Sequence, residues 1–268
     1  MVVERYVLAT GSEGEERLAV VNEVHGPDTR AFVLRAGLTQ GMRVADIGCG
    51  IGTVSCWMAA QVGASGAVVG VDVSAAQVET ARRRAEASGV GNVTFAAVDA
   101  YSTGLEANAF DLVYCRFVLM HLRRPADALR EMRALLRPGG ILAVEDGDFT
   151  ALFCHPPLPA FERCMELYRA AGERHGADFG IGRRLYELVR AAGFDSAEVV
   201  LAQPVCAQGE AKRLPEWTLA ESANALIEAQ LTTSAEIDAL VAALASFAAQ
   251  DGTAIGMARM MQVTAVKQ

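Results

Sequence analysis

Val44-Ala-Asp-Ile-Gly-Cys-Gly-Ile-Gly52 is the stretch whose reading decides the fold. A short apolar run carrying one acid, Asp46, enters three alternate glycines and then the apolar run Thr53-Val-Ser-Cys-Trp-Met-Ala-Ala60. Apolar residues ending in glycines and resuming at helical spacing predict a strand, a tight turn and a helix. The pattern repeats downstream: strand 43–47, helix 53–62, strand 67–72, helix 75–88 and strand 92–96, followed by strand 110–115, helix 125–136 and strand 141–145. Runs such as Ala67-Val-Val-Gly-Val71 have no polar alternation, so they must be covered on both faces, as strands of a parallel sheet are. The expected fold is α/β, a Rossmann-like doubly wound sheet, with ligands at the carboxyl ends of its strands.

Working outward, Glu13 to Ala36 reads as two short helices broken near His25-Gly-Pro-Asp28, with Pro27 at a first helical turn. Residues 1–40 form a helical lid on this reading, with Arg17 on a solvated helix face. Residues 41–150 form the ligand-binding core. After Glu145 the rhythm changes to a helix over 158–174, a helix over 182–192, a strand over 196–201, a helical stretch from 214 to about 249 and a last strand within 257–267. Two helical insertions, 151–181 and 208–252, are expected to roof a pocket within a single domain spanning 1–268.

The 268 residues carry a formal charge of -8, with 52% apolar and 21% charged residues. That balance opposes a surface that tracks nucleic-acid phosphates. No segment approaches the ~20 apolar residues of a membrane span, and the beginning of the chain shows no leader, so a cytoplasmic location is expected. The six cysteines show neither a C-x-x-C pair nor metal-ligand spacing, so no metal is expected. A small-molecule partner is expected, and a homodimer is left open.

The glycine loop narrows the ligand. A dinucleotide fingerprint requires a third glycine where Thr53 stands, and a triphosphate loop requires a lysine that is absent. A carboxylate at Asp46 repels pyrophosphate and favours a cation. S-adenosylmethionine, a nucleoside without phosphates that carries an ammonium and a sulfonium, meets these conditions. Asp72 closes the second strand where an acid accepts from ribose hydroxyls, with Val73 after it. In Val98-Asp-Ala-Tyr101, Asp99 and the backbone of Ala100 are placed for adenine.

Together, the glycine loop, Val71-Asp72, Val98-Asp-Ala100, Phe110-Asp-Leu-Val-Tyr-Cys115, His121-Leu122 and Leu135-Leu-Arg-Pro-Gly-Gly140 resemble the class I S-adenosylmethionine-dependent methyltransferases over about residues 40–146. The resemblance implies seven strands in the order 3-2-1-4-5-7-6, the last antiparallel. It also implies that Gly48, Cys49, Gly50 and Gly52 flank the methionine portion. The lead-in around Tyr6 resembles the cap of a small-molecule branch, in which Tyr6 closes over the cofactor. Arg116 sits where the backbone of such proteins meets the cofactor's ammonium, and its side chain is a candidate to hold an acidic substrate.

Methyl transfer mainly requires alignment and exclusion of water, with a base only where the acceptor must lose a proton. His121, after the fourth strand, is the candidate base. Glu145, Asp148, Phe149 and His155 are candidate substrate contacts, and Phe153, Phe161, Met165, Tyr168, Phe179 and Trp217 are candidate pocket walls. The implied activity is methyl transfer to O, N or C of a small hydrophobic metabolite, releasing S-adenosylhomocysteine. The alternatives are a cofactor-binding sensor or rearrangement catalyst and, behind it, an NAD-dependent oxidoreductase.

Overall fold

The computed structural model describes residues 12–268. The elements of the core are β1 (Arg43–Ile47), α2 (Thr53–Val62), β2 (Ala67–Asp72), α3 (Ala75–Ala87), β3 (Val93–Ala97), β4 (Phe110–Arg116), α4 (Pro125–Leu135) and β5 (Leu136–Asp148). With β7 (Ala197–Ala202) and β10 (Arg259–Val266), the strands form a seven-stranded sheet in the order β3-β2-β1-β4-β5-β10-β7. β10 runs antiparallel to both β5 and β7. This is the expected order 3-2-1-4-5-7-6 with an antiparallel last strand.

Period-two alternation divides the strands between two cores, which is why their sequences are apolar throughout. Ala45, Ile47, Val113, Cys115, Leu142 and Val144 pack on one face with α4 and α6 (Leu185–Ala191). Val44, Val68, Leu112, Tyr114 and Ala143 pack on the other with α2, α3 and the start of the chain. Helix α4 is amphipathic, with Ala128, Leu129, Met132 and Leu135 buried, and Pro125 occupies its first turn, where the missing N–H costs nothing.

The first described element corrects the two-helix reading. Ser12–Arg35 is one helix, α1, with Pro27 in its interior. Proline removes one helical hydrogen bond, but tertiary bonds hold the helix on both sides of it. Arg116 donates to Asn22 before Pro27 and to Thr29 after it (2.9 Å). Thr29 in turn donates to Glu145 at 2.6 Å. The Glu145 carboxyl, 2% exposed, also accepts from the Tyr114 hydroxyl at 2.5 Å and from Gln262 at 2.7 Å. Four elements, α1, β4, β5 and β10, therefore meet on one buried side chain.

A second group of elements lies over the carboxyl ends of the strands. Helices α5 (Pro159–His175), α7 (Leu214–Glu228) and α8 (Ser234–Ala249) share a core that includes Phe161, Leu167, Leu219, Leu226 and Leu244. A three-stranded antiparallel sheet of β6 (Phe153–His155), β9 (Ala254–Gly256) and β8 (Val205–Cys206) ties the returning chain segments together. This sheet was not expected from the sequence. Its register places Phe153 opposite Gly256, where a Cβ would lie 2.0 Å from the Phe153 ring, so only glycine fits there.

Removing Glu145 strands three donors at once, whereas removing one donor leaves the others satisfied. In urea unfolding, Glu145→Ala should lower stability by about 3 kcal/mol and Tyr114→Phe by about 1 kcal/mol. Equal losses in the two variants would contradict a shared acceptor.

Candidate active site

The loop between β1 and α2 turns through left-handed backbone at each of its three glycines, with φ of 75° at Gly48, 54° at Gly50 and 74° at Gly52. Gly48 and Cys49 donate their N–H groups to the Val71 carbonyl at 2.7 and 2.9 Å, and Gly50 donates to the Asp72 carboxylate at 2.9 Å. The second oxygen of Asp72 accepts from the Ser74 N–H at 2.9 Å. One acid thus joins the glycine loop to the start of α3. Burial raises the Asp72 pKa and these backbone bonds oppose the shift. Val73 beside it is 70% exposed, a large apolar side chain on the open lip of the strand. Asp99 is exposed one strand further along and accepts from the Tyr101 N–H at 2.9 Å, with Ala100 half-buried between them. Asp72, Val73, Asp99 and Ala100 therefore line one edge beside the loop.

Asp46 stands lower than expected. It is 2% exposed and accepts from the Ser55 hydroxyl at 2.5 Å, and burial pushes its pKa up to about 6. What it offers a cation is the field of a buried acid and not an exposed oxygen. Cys49 is buried, its thiol pushed up chiefly by burial and further by Asp46 and Asp72, so it is an inert wall of the loop. Tyr6 lies outside the described residues.

A cavity of about 140 Å³ opens next to this loop, between α1, the segment after β4 and the helices of the upper layer. Phe117 forms its floor. That residue holds a left-handed φ of 55°, uncommon for a bulky side chain, and its N–H is tied to the Glu145 carbonyl at 3.2 Å. The turn sends its ring edge-on against His25 of α1 at 5.3 Å and towards Phe149 at 6.1 Å. Phe149 continues to Tyr168 of α5 at 6.1 Å, so an aromatic wall runs from α1 to α5. Leu152, Met165, Leu214 and Met257 complete an apolar lining. Val118, next to Phe117, closes over Gly48, where an added Cβ would fall 2.0 Å from its Cγ2. The glycine loop is therefore in direct contact with the segment after β4, whose neighbouring residue Phe117 lines the cavity.

The cavity's titratable groups are few. His121 lines it from the short helical turn Leu119–His121, and burial followed by the charge of Arg17 pushes its pKa down to about 4. Asp146 aligns that turn by accepting the Met120 N–H at 3.1 Å, and burial raises its pKa to about 7. His25 is 5% exposed with a pKa lowered to about 3 by burial and then by Arg116. Its Nδ1 has no hydrogen-bond partner among the described residues. Both imidazoles are neutral at physiological pH. Arg17 is not on a solvated face; it is 6% exposed and paired with Glu221 of α7 at 2.9 Å.

Several expected substrate contacts are corrected by the partners they make. Glu145 is consumed by its three donors and does not face the cavity. Asp148, 1% exposed, accepts from Thr150 and pairs with Arg183 at 2.7 Å, which holds its carboxyl below the usual range despite burial. His155 is exposed in β6 and is not part of the cavity lining. Arg116 spends its guanidinium on Asn22 and Thr29, so it fastens α1 and does not hold an acidic substrate. Phe149, His121, Met165 and Tyr168 do line the cavity, whereas Phe161 and Phe179 are core and Phe153 is 42% exposed. Sequence reasoning missed His25. The neighbouring glycine and proline marked it as part of a break, and only the continuity of α1 turns its ring inward.

Between about pH 6.5 and pH 3 the unfolded chain takes up a proton at His25 that the folded chain refuses, so stability is lost as pH falls through that window. His25→Phe removes this loss. The stability difference between variant and native protein should therefore move in favour of His25→Phe on going from about pH 7 to about pH 5 in urea titrations. A difference independent of pH would show that the imidazole is solvated.

Comparison with known proteins agrees with this geometry. A family model described as a methyltransferase domain matches residues 38–193. The methyltransferase GfsG of Streptomyces halstedii is 35% identical over 44% of this chain and 42% of its own. The aklanonic acid methyltransferase DauC of a Streptomyces species is 34% identical over 51% of this chain and 61% of its own. The chain spans about half the length of the curated relatives it matches. A crystal structure of a putative methyltransferase from Bacillus halodurans superposes with a TM-score of 0.61 at 19% identity, covering 90% of this chain and 99% of that one, which shows a shared fold. With the family match covering more than half of its residues and the strand order in agreement, the chain belongs to the methyltransferase domain family.

Proposed function

We propose that the protein transfers a methyl group from S-adenosylmethionine to a small, largely apolar acceptor held in the cavity under α5 and α7. The observation that carries this reading is the contact of Val118 with Gly48, because Val118 adjoins the cavity-lining Phe117 and so brings the glycine loop next to the cavity. On this reading residues 41–150 hold the cofactor, and 151–181 with 208–252 roof the acceptor.

The residues present fit the cofactor. The loop has no basic side chain to neutralise phosphate, its left-handed glycines allow close backbone approach, and Asp72 retains acceptor capacity beyond its two backbone bonds. Asp72 would hold the ribose hydroxyls and Asp99 with the Ala100 backbone the adenine, while the exposed Val73 packs on the base. When bound, S-adenosylmethionine supplies a methyl on a cationic sulfur, and S-adenosylhomocysteine leaves once the methyl carbon has bonded to the acceptor's lone pair.

The chain's own contribution is placement and exclusion of water. Phe117, Phe149 and Tyr168 dry the cavity and orient a flat acceptor. His121 is uncharged above about pH 4, and the burial that keeps it so also weakens it as a base, so its role on this reading is to orient a polar group of the acceptor. Asp46 adds the field of a buried acid beneath the loop. Among the described residues the cavity lining holds no carboxylate to pair with an ammonium, which favours an uncharged acceptor.

Calorimetry with S-adenosylhomocysteine should show submillimolar binding, and NAD should not bind. Asp72→Ala should weaken the binding about tenfold or more, and Gly48→Ala should abolish it, since the added Cβ collides with Val118. Binding of NAD in place of S-adenosylhomocysteine would sink the proposal.

A further inference from the structure

We infer that His25 is a recognition residue for a hydroxyl group on an otherwise apolar, uncharged acceptor. This rests on the acceptor cavity proposed above and names the class of molecule that the cavity takes.

His25 lines the cavity and is 5% exposed, yet its Nδ1 has no hydrogen-bond partner among the described residues. An unsatisfied polar atom costs the fold about 1–3 kcal/mol, and buried polar groups in native structures are otherwise paired. That nitrogen is enclosed in the cavity wall, and a ligand completes it when the imidazole turns towards the cavity that its ring already lines. The position is held deliberately: Asn22 and Thr29, one turn either side on α1, are both bonded to Arg116, and Phe117 braces the ring edge-on at 5.3 Å. The backbone that carries the imidazole is therefore fixed beside the cavity.

The surrounding charges select the ligand. Arg17 lines the same cavity, paired with Glu221, and Arg116 lies close enough to act on His25. Among the described residues a cationic amine entering here would meet Arg17 and no carboxylate of the lining, and the nearby Glu145, Asp146 and Asp148 are each bonded to internal donors. A neutral imidazole instead complements an uncharged O–H group, and the aromatic wall complements the ring that carries it. A cavity of about 140 Å³ is close to the ~150 Å³ that takes up a benzene ring in a protein core, which sets the scale of the apolar portion.

Phenol, toluene and benzylamine test this directly, being single rings of nearly one shape. In a purely apolar cavity toluene binds better than phenol, because the hydroxyl loses its water without compensation. Equilibrium binding to the protein saturated with S-adenosylhomocysteine should give phenol at least as tight as toluene, with benzylamine weakest. His25→Phe and His25→Leu should each shift the phenol-to-toluene ratio by about tenfold towards toluene, while thermal stability is kept or raised because an unpartnered polar group has been removed. A tenfold preference of the native protein for toluene would overturn the inference. So would a ratio unchanged in both variants, or phenol and toluene both failing to bind at millimolar concentration. Retained S-adenosylhomocysteine binding in the same samples separates this failure from failure of the functional proposal.

Discussion

A single buried side chain, Glu145, sets the relation between the helix that begins the described chain and the sheet that holds the site. Its carboxyl receives Thr29 from α1, Tyr114 from β4 and Gln262 from β10. Burying an acid at 2% exposure is costly, and it is tolerated because three donors converge on it. The consequence reaches the surface through Arg116, whose two bonds to α1 place His25 over Phe117 and so close one side of the cavity. Without this junction α1 would keep its apolar contacts with the sheet and the longer bonds between Gln262 and Asp28 and Arg35 at 3.4 Å, which fix its rotation about its own axis less firmly.

The same economy shapes the electrostatics of the cavity. Carboxylates are plentiful where β5 ends, but Glu145, Asp146 and Asp148 are all occupied in holding backbone turns or neighbouring helices. Among the described residues, those facing the cavity are a pair of imidazoles kept neutral by burial and an arginine paired across to α7. An environment of this kind disfavours charged acceptors and leaves alignment as the main catalytic device. The cofactor side is the reverse: Asp46 and Asp72 beneath and beside the glycine loop give it an acidic character. Among the described residues the glycine loop is thus flanked by acids and the cavity by neutral imidazoles.

The sheet was legible because its information is local. Unbroken apolar strands, helical spacing between them and glycines at Gly48, Gly50 and Gly52 each report their own conformation, and the strand order followed from the resemblance. Boundaries moved little; β5 starts already at Leu136, which pairs with Phe110 of β4, and Gly139 and Gly140 bond through their backbones to Lys267, just past β10. What could not be read was anything decided by a distant partner. Pro27 looked like a break because the bonds that carry α1 across it come from Arg116 and Glu145. Glu145 and Asp148 looked like ligands because their donors stand up to 117 and 35 residues away. Arg17 looked solvated because Glu221 was not in view, and His25 was passed over because nothing near it in sequence shows which way its ring turns.

The most direct measurement is a crystal structure of the protein grown with S-adenosylhomocysteine. The account predicts the adenosine along Asp72, Val73 and Asp99, the amino acid portion against the glycine loop, and the sulfur directed past Phe117 and His121 into the aromatic cavity. A ligand bound in another cleft, or one whose sulfur points away from that cavity, would contradict it.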